Sequence, residues 1–204
     1  MTETEIMVGP DIPETGIVGT AMKLVCSRED FVAKLAVVSR AVSTRSSVQI
    51  LTGILLRAEG GELHLAATDV DLSLRTSVEA QIESEGRVVV LGRLLVDLAR
   101  LLPESEVQLN HRPEEGVLEI TSGTASYRLH TYSAEDFPRL PEVDATQTFA
   151  VDAEALLETI AQVSRSASRD ESRPVLTGIL ARFEPGKLVM AATDSYRLLS
   201  LIHI

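Results

Sequence analysis

The order of apolar and polar residues predicts alternating strands and helices along the first two thirds of the chain. Apolar residues within 28–42 lie three or four positions apart, which predicts an amphipathic helix with one buried face. Over residues 70–82 apolar and polar side chains alternate, as in a strand with one buried and one solvated face. A second helix is predicted at 93–102, because Pro103 ends the pattern. The remaining predicted strands cover 22–26, 50–59, 62–68, 87–91, 107–110, 117–121 and 125–131.

These elements occur in the order strand, helix and three strands, twice in succession. An amphipathic helix and a half-buried strand each expose an apolar surface that must pack against another element. We therefore predict the α+β fold class, in which repeated βαβββ units place helices on one face of curved antiparallel sheets.

The chain also repeats itself at a fixed offset of 125 residues. Three segments recur without a gap: LTGIL at 51–55 and 176–180, AATD at 66–69 and 191–194, and VSR at 38–40 and 163–165. This period exceeds the roughly 50 residues of the longest solenoid repeats, so it indicates duplicated domains. The first copy begins near Met22 and the second near Gln147, so only about half of the second copy is present.

The predicted domain organisation has three parts. Residues 1–21 form a flexible N-terminal extension, residues 22–141 form the first domain, and residues 142–204 form an incomplete second domain. The segment 136–141, DFPRLP, is predicted to be a joint that its prolines stiffen. We expect 22–141 to fold alone and 147–204 to pack loosely, because the sheet of the second copy lacks partner strands.

Composition narrows the classes of function. The chain has 19 basic and 30 acidic residues and a net charge of −11, which excludes a uniformly basic nucleic-acid binder but allows a local basic surface. The single cysteine, Cys26, excludes an internal disulfide and a cysteine-rich zinc site. Apolar runs are too short to span a bilayer, and residues 1–21 lack the basic start of a signal peptide. We expect a soluble cytoplasmic protein that contacts no membrane and needs no metal or cofactor.

Signals for catalysis are weak. Asp69 and Asp71 could form a carboxylate pair, and a hydrolase that uses Asp69 is one alternative. Asp69 recurs as Asp194 in the same AATD context, however, which favours a turn whose carboxylate accepts backbone N–H groups. The segment around Lys187 lacks the phosphate-binding pattern GxxxxGK[ST], and the four histidines show no metal-ligand spacing.

Six short motifs carry a resemblance to a known family. They are MKL at 22–24, LTG at 51–53, ATD at 67–69, YRL at 127–129, DFPRLP at 136–141 and ATDSYRL at 192–198. In their order and spacing the chain resembles the bacterial DNA polymerase III beta sliding clamps, from Met22 to about Leu198. Residues 1–21 precede the usual start of the family, the third family domain is missing, and Leu199–Ile204 is unlike the family.

The resemblance implies a DNA-clamp fold and a function without catalysis. Members of this family are head-to-tail homodimeric rings of three-domain subunits, with helices lining a central hole and sheets outside. Duplex DNA passes through the hole, so the clamp tethers the polymerase to its template and makes replication processive. The implied partners are duplex DNA, the DNA polymerase III catalytic subunit, the clamp loader, other clamp-binding replication and repair proteins, and a second copy of the chain.

Basic residues on the predicted helices and in the loops after them are candidate DNA contacts. They are Arg28, Lys34, Arg40, Arg93, Arg100, Arg165, Arg169 and Arg173. The resemblance adds Arg45, where the family places a DNA-contacting arginine. Such contacts go to phosphates, carry no sequence information and weaken with salt. The alternative is that these are ordinary solvated charges, some of which complement a helix dipole.

A second candidate site accepts partner peptides. The resemblance assigns to it Leu176, Thr193, Ser195, Tyr196, Arg197 and Leu198. They form part of a hydrophobic groove that the third family domain completes. An exposed surface of this kind can take an apolar side chain and a carboxylate together. The alternative is that Leu176 and Leu198 are ordinary core residues of strands.

Two functions of different classes therefore remain. The first is a sliding-clamp subunit, supported by the duplication and by a basic helix face in each copy. The second is a scaffold or peptide-binding module of the same fold that does not contact nucleic acid.

Overall fold

The computed structural model describes three stretches of the chain: 21–44, 46–140 and 148–203. Side chains are described for all of these residues except Ile202 and His203. The N-terminal extension predicted up to residue 21, apart from Ala21, and Arg45 lie outside the described residues. The described residues divide into two compact units, which we call the first module (21–140) and the second module (148–203).

Among its described residues, the first module has eight strands and two α-helices. The strands are β1 (Met22–Ser27), β2 (Gly53–Glu59), β3 (Glu62–Thr68), β4 (Ser73–Ser84), β5 (Gly86–Leu91), β6 (Glu106–Arg112), β7 (Val117–Ser122) and β8 (Ala125–Tyr132). The helices are α1 (Arg28–Val38) and α2 (Gly92–Arg100). Paired strands are antiparallel, in the order β1-β4-β3-β2-β5-β8-β7-β6, and β6 returns to β1 to close a barrel. The predicted α+β class with antiparallel sheets is confirmed.

The closure of the barrel is uneven. Strand β1 pairs with β6 over all six of its residues. Strands β5 and β8, by contrast, pair only at Val89 with Tyr132 and at Val90 with Thr131. Along Ala125–His130, the edge of β8 that faces β5 therefore has no partner strand within the described residues.

Both helices of the first module bury their apolar side chains in one core with the strands. Helix α1 contributes Phe31, Leu35 and Val38, and helix α2 contributes Leu95 and Ala99, all almost fully buried. Helix α1 also packs on β4 and on α2. Burying an apolar side chain of this size stabilises the fold by about 1.5–3 kcal/mol, so this cluster holds the helix pair on the strands.

Helix α1 is shorter than predicted. The apolar spacing indicated a helix over 28–42, but α1 ends at Val38 and a 3-10 turn over 39–41 follows. The backbone N–H of Ser43 donates to the carbonyl of Leu51 (3.0 Å). This bond closes a loop directly after the 3-10 turn. The apolar spacing of the sequence therefore extends beyond the residues that are helical in the structure.

Strand β4 begins at Ser73, later than predicted. Val70 and Leu72, which the alternation placed on the buried side, are 73% and 44% exposed. Val70 has a φ of +85°, a left-handed conformation that is rare for a β-branched residue. The Asp69 carboxylate accepts the N–H of Leu72 (2.8 Å), and the Thr68 hydroxyl accepts that of Val70 (3.1 Å). These bonds form a turn where the alternation predicted a strand.

The segment after β8 packs back onto the first module. Phe137 is buried against Ala66 and Val89. The guanidinium of Arg75 donates to the carbonyl of Leu140 (2.8 Å). The described part of the predicted joint is therefore fixed to this module by an apolar contact and a hydrogen bond.

The second module combines one longer helix with a small sheet. Its described elements are α3 (Ala153–Val163), a 3-10 turn (Ser164–Ser166), α4 (Pro174–Thr177), β9 (Leu180–Glu184), β10 (Lys187–Thr193) and β11 (Leu198–His203). Strand β10 lies between β9 and β11 and is antiparallel to both. The buried core is small and consists of Val163 from α3 with Leu188, Met190 and Ala192 from β10.

In the part of the chain that the structure describes, no helix is both long enough and apolar enough to cross a membrane.

Candidate functional site

Helices α1 and α2 bring two candidate DNA contacts together. The guanidinium of Arg28, the first residue of α1, donates through Nη2 to the carbonyl of Arg100 at the end of α2 (3.4 Å). A cation beside the C-terminus of a helix also complements the helix dipole. Through this hydrogen bond the partly buried Arg28 connects the two helices, and its guanidinium also adds positive charge.

The other basic residues of the helix pair are exposed. Arg93, Asp97 and Arg100 lie at positions i, i+4 and i+7 of α2, so they share one helix face. Lys34 is exposed on α1, and Arg40 is exposed in the 3-10 turn that follows it. The first module therefore presents positive side chains on both helices, with Asp97 and the acidic first turn of α1 reducing the net charge.

The loop that contains Arg45 has a counterpart in the second module. In the first module, the N–H of Ser43 donates to the carbonyl of Leu51 (3.0 Å) and closes this loop. In the second, the N–H of Ser168 donates to the carbonyl of Leu176 (2.8 Å). The 125-residue repeat seen in the sequence thus extends to a shared hydrogen bond.

The second module gathers its three candidate arginines in one open depression. Arg165, Arg169 and Arg173 line a volume of about 600 Å³ together with Tyr196 and Arg197. The remaining lining residues are Ser164, Ala167, Ser168, Asp170 and Asp194. Residues that the sequence analysis assigned to two separate candidate sites, for DNA and for partner peptides, therefore line one depression.

Arg173 connects the two predicted sites. Its Nε lies 3.3 Å from Oδ2 of Asp170, and its Nη1 donates to Oγ of Ser195 (3.1 Å). The hydroxyl and the N–H of Ser172 donate to Asp170, and these bonds together with Arg173 hold the pKa of that carboxyl below its ordinary value. The contact between Arg173 and Ser195 could not be predicted from local sequence patterns, because the two residues lie in different loops.

The turn after β10 is built in the same way as the turn after β3. Asp194 accepts the N–H groups of Arg197 and Tyr196 (both 3.0 Å), and these bonds lower the pKa of its carboxyl. Ser195 has a φ of +77°. The interpretation of Asp69 and Asp194 as turn residues is confirmed. The hydrolase alternative needed Asp69 as a catalytic carboxylate, but this carboxylate accepts the backbone N–H of Leu72 in the turn.

The six groove candidates differ in their surroundings. Tyr196 and Leu198 are 95% and 71% exposed, so Leu198 is not a core residue. Leu176 is partly buried and belongs to the short helix α4, where the alternative interpretation required a strand. Of the six candidates only Tyr196 and Arg197 line the depression, and Thr193, Ser195, Leu176 and Leu198 do not.

Groups with other chemistry are few. Burial raises the pKa of the Cys26 thiol to about 12, so this side chain stays protonated at neutral pH and packs as an apolar group. Within the described ranges, no three His, Cys, Asp or Glu side chains are grouped as they are in a metal site.

Two family models match most of the chain. Residues 22–141 match the N-terminal domain of the DNA polymerase III beta subunit, and residues 150–203 match its central domain. The expectation that the end of the chain is unlike the family is therefore wrong for Leu199–His203. The beta sliding clamp of Streptomyces coelicolor is 38% identical over 178 residues, which are 86% of this chain and 46% of that protein. The chain spans about half the length of the curated relatives it matches.

Solved structures share the fold. The DNA polymerase sliding clamp from Bacillus subtilis has a TM-score of 0.84 and 27% identity, covering 90% of this chain and 50% of its own. The sliding clamp from Bartonella birtlesii, DNA polymerase III subunit beta bound to griselimycin, has a TM-score of 0.80 and 31% identity, with the same coverage. The chain therefore belongs to the DNA polymerase III beta-subunit family, the bacterial beta sliding clamps.

Proposed function

We propose that this chain forms part of a sliding clamp that encircles duplex DNA and tethers the replicative polymerase. The clamp acts through its topology and catalyses no reaction, and we expect it to act in the cytoplasm. The observation that carries the proposal is the packed helix pair of the first module. There Arg28 reaches the end of α2, while Lys34, Arg93 and Arg100 are exposed on the same two helices.

The charge distribution supports this proposal. The chain has a net charge of −11, so DNA is repelled from most of its surface and attracted only to local basic regions. The proposed contacts are the nine basic candidates named from the sequence, including Arg40 and Arg45 in the first module and Arg165, Arg169 and Arg173, which line the depression. Contacts to phosphates leave the ring free to slide, because they do not select a base sequence.

Partner proteins are proposed to dock on the second module. The six groove candidates would form part of a peptide site, with exposed Tyr196 and Leu198 offering apolar surface and exposed Arg197 offering positive charge. The proposed partners are the polymerase catalytic subunit, the clamp loader and other clamp-binding replication and repair proteins. The sliding clamp from Bartonella birtlesii was solved with griselimycin bound, which supports a ligand site in this family.

A homodimeric ring is proposed for the complete protein. The support in this chain is the edge of β8 along Ala125–His130, which has no partner strand among the described residues. Unpaired N–H and C=O groups on a strand edge can pair with a strand of another subunit. A head-to-tail arrangement uses this edge once in each subunit and closes the ring.

Charge reversal on α2 tests the DNA contacts. We expect the double variant Arg93→Glu/Arg100→Glu to bind a DNA duplex more weakly. The slope of log K against log salt should become less steep by about 2, since each lost phosphate contact removes about 0.9. The measurement is fluorescence anisotropy of a labelled duplex across a salt series.

The matched control is Arg182→Glu/Lys187→Glu. These two residues lie on strands β9 and β10, with side chains 65% and 42% exposed, and the net charge changes by the same amount. Equal losses in both double variants would indicate a general charge effect. Unchanged binding in the α2 variant would favour the scaffold or peptide-binding module without nucleic acid.

A further inference from the structure

The hydrogen bond between Arg173 and Ser195 joins a DNA candidate to a groove candidate. Arg173 belongs to the loop that Ser168 and Leu176 close, and Ser195 belongs to the turn between β10 and β11. Nη1 of Arg173 lies 3.1 Å from the Ser195 hydroxyl. The contact therefore connects the two sides of the depression.

The first module shows that its equivalent turn forms without this bond. At the 125-residue offset, Arg173 corresponds to Val48 and Ser195 to Val70, and neither valine has a polar side-chain atom. Both turns nonetheless have the same left-handed residue, with φ of +85° at Val70 and +77° at Ser195. The bond from Arg173 is therefore an addition to a turn that its own threonine and aspartate already hold.

Arg173 keeps capacity for a further ligand. A guanidinium has five N–H donors, and Asp170 and Ser195 occupy one on Nε and one on Nη1. The side chain is 48% exposed, and exposed Arg169 lines the same depression. Hydrogen bonds from an arginine to a phosphate are charge-assisted and frequently bidentate, so they are stronger than a bond to a neutral hydroxyl.

We propose that Arg173 transmits the binding of a DNA phosphate in the depression to the turn that contains Tyr196 and leads into Leu198 of β11. A phosphate held by Arg169 and Arg173 fixes the Arg173 side chain, which exposed contacts alone restrain only weakly. The fixed side chain restricts Ser195, so the turn is ordered before a partner peptide binds. DNA and peptide then favour each other's binding, and the coupling is reciprocal.

In this scheme Ser195, one of the six groove candidates, also acts as a positioning residue for the turn that contains Tyr196. The inference rests on the proposed DNA contacts of the second module. It goes further by naming the two side chains through which DNA affects the peptide site.

Backbone amide NMR of the full 204-residue chain tests the inference with a short DNA duplex at low salt. In the unmodified chain, the duplex should shift the amides of the loop at 168–173 and also those of the turn at 195–197. In Ser195→Ala, the loop amides should still shift, while the turn amides should not. The control Ser200→Ala removes the hydroxyl of an exposed serine on β11, outside the lining of the depression, and should behave like the unmodified chain.

The outcomes separate this inference from the proposed function. Loop shifts without turn shifts in the unmodified chain would overturn the coupling and leave the DNA contacts standing. An absence of loop shifts would overturn both. Turn shifts that persist in Ser195→Ala would show that the signal does not pass through its hydroxyl. If Ser195→Ala fails to fold, Ser195→Gly removes the same hydroxyl and suits the φ of +77°.

Discussion

Left-handed residues mark both repeated turns and explain where the alternation in the sequence stops predicting burial. Val70 and Ser195 have φ of +85° and +77°. This conformation costs roughly 1–2 kcal/mol for an L-residue other than glycine. The hydrogen bonds that backbone N–H groups donate to the carboxylates of Asp69 and Asp194 offset that cost in each turn. We expect the backbone strain to be larger at Val70 than at Ser195, because the side chain of Val70 is β-branched.

Replacing Val70 with glycine should therefore stabilise the first module. Relief of the left-handed conformation gains about 1–2 kcal/mol, and the extra freedom of glycine in the unfolded chain costs about 0.5–1 kcal/mol. We expect Val70→Gly to raise the free energy of unfolding by about 0.5–1 kcal/mol. Urea unfolding followed by tyrosine fluorescence measures the change.

The control for this substitution is Val48→Gly. Val48 is 52% exposed and has an extended conformation with φ of −88°, so only the cost of glycine applies. It should lower the free energy of unfolding by about 0.5–1 kcal/mol. A loss of stability in both variants would mean that Val70 is not strained.

At the residue scale the sequence predicted the role of Asp69 but not the position of Val70. The repeat of AATD identified a turn, because aspartate side chains hold backbone N–H groups in such turns. The alternation of 70–82 gave a strand, because a period of two does not show where a left-handed residue interrupts it. The contact of Arg173 with Ser195 depends on how two loops pack, which local patterns do not contain.

At the scale of elements, the helix pair of the first module depends on few large side chains. Phe31 and Leu35 of α1 are fully buried with Leu95 of α2 in the same cluster as the strands. The sequence predicted this face from its apolar spacing, and the burial of Phe31, Leu35 and Val38 confirms it. The uneven pairing of β5 with β8 could not be predicted, since short strands carry no signal for their partners.

Truncation of Phe31 tests how much this packing stabilises the first module. Phe31→Ala removes the largest fully buried side chain and leaves a cavity between α1 and the strands. We expect a loss of about 3–5 kcal/mol in the free energy of unfolding. Val37→Ala is the control, because Val37 is on the same helix and 42% exposed, and it should change stability by no more than about 0.5 kcal/mol. Similar losses in the two variants would contradict the burial of Phe31.

At the scale of the whole molecule, the duplication predicted more than any single motif. It placed equivalent loops and turns in both copies, and the closing bonds at Ser43 and Ser168 follow the same offset. The two modules nonetheless differ in the closure of their sheets and in the size of their buried apolar clusters. The first has a closed barrel with a large buried cluster, while the described residues of the second bury a cluster of four apolar side chains, one from α3 and three from β10.

This difference predicts that the second module opens before the first. Its outer strands β9 and β11 each have one partner within the described residues, and Leu180 and Phe183 of β9 are 63% and 44% exposed. Local opening requires less free energy where fewer apolar side chains are buried and strand edges are uncovered. We expect the amides of β10 to exchange with deuterium faster than those of β3, and the gap to widen at low urea. Hydrogen exchange with mass spectrometry on the intact chain measures both strands at once. Protection of β10 equal to that of β3 would show that the small core around Val163 is sufficient to hold the second module closed.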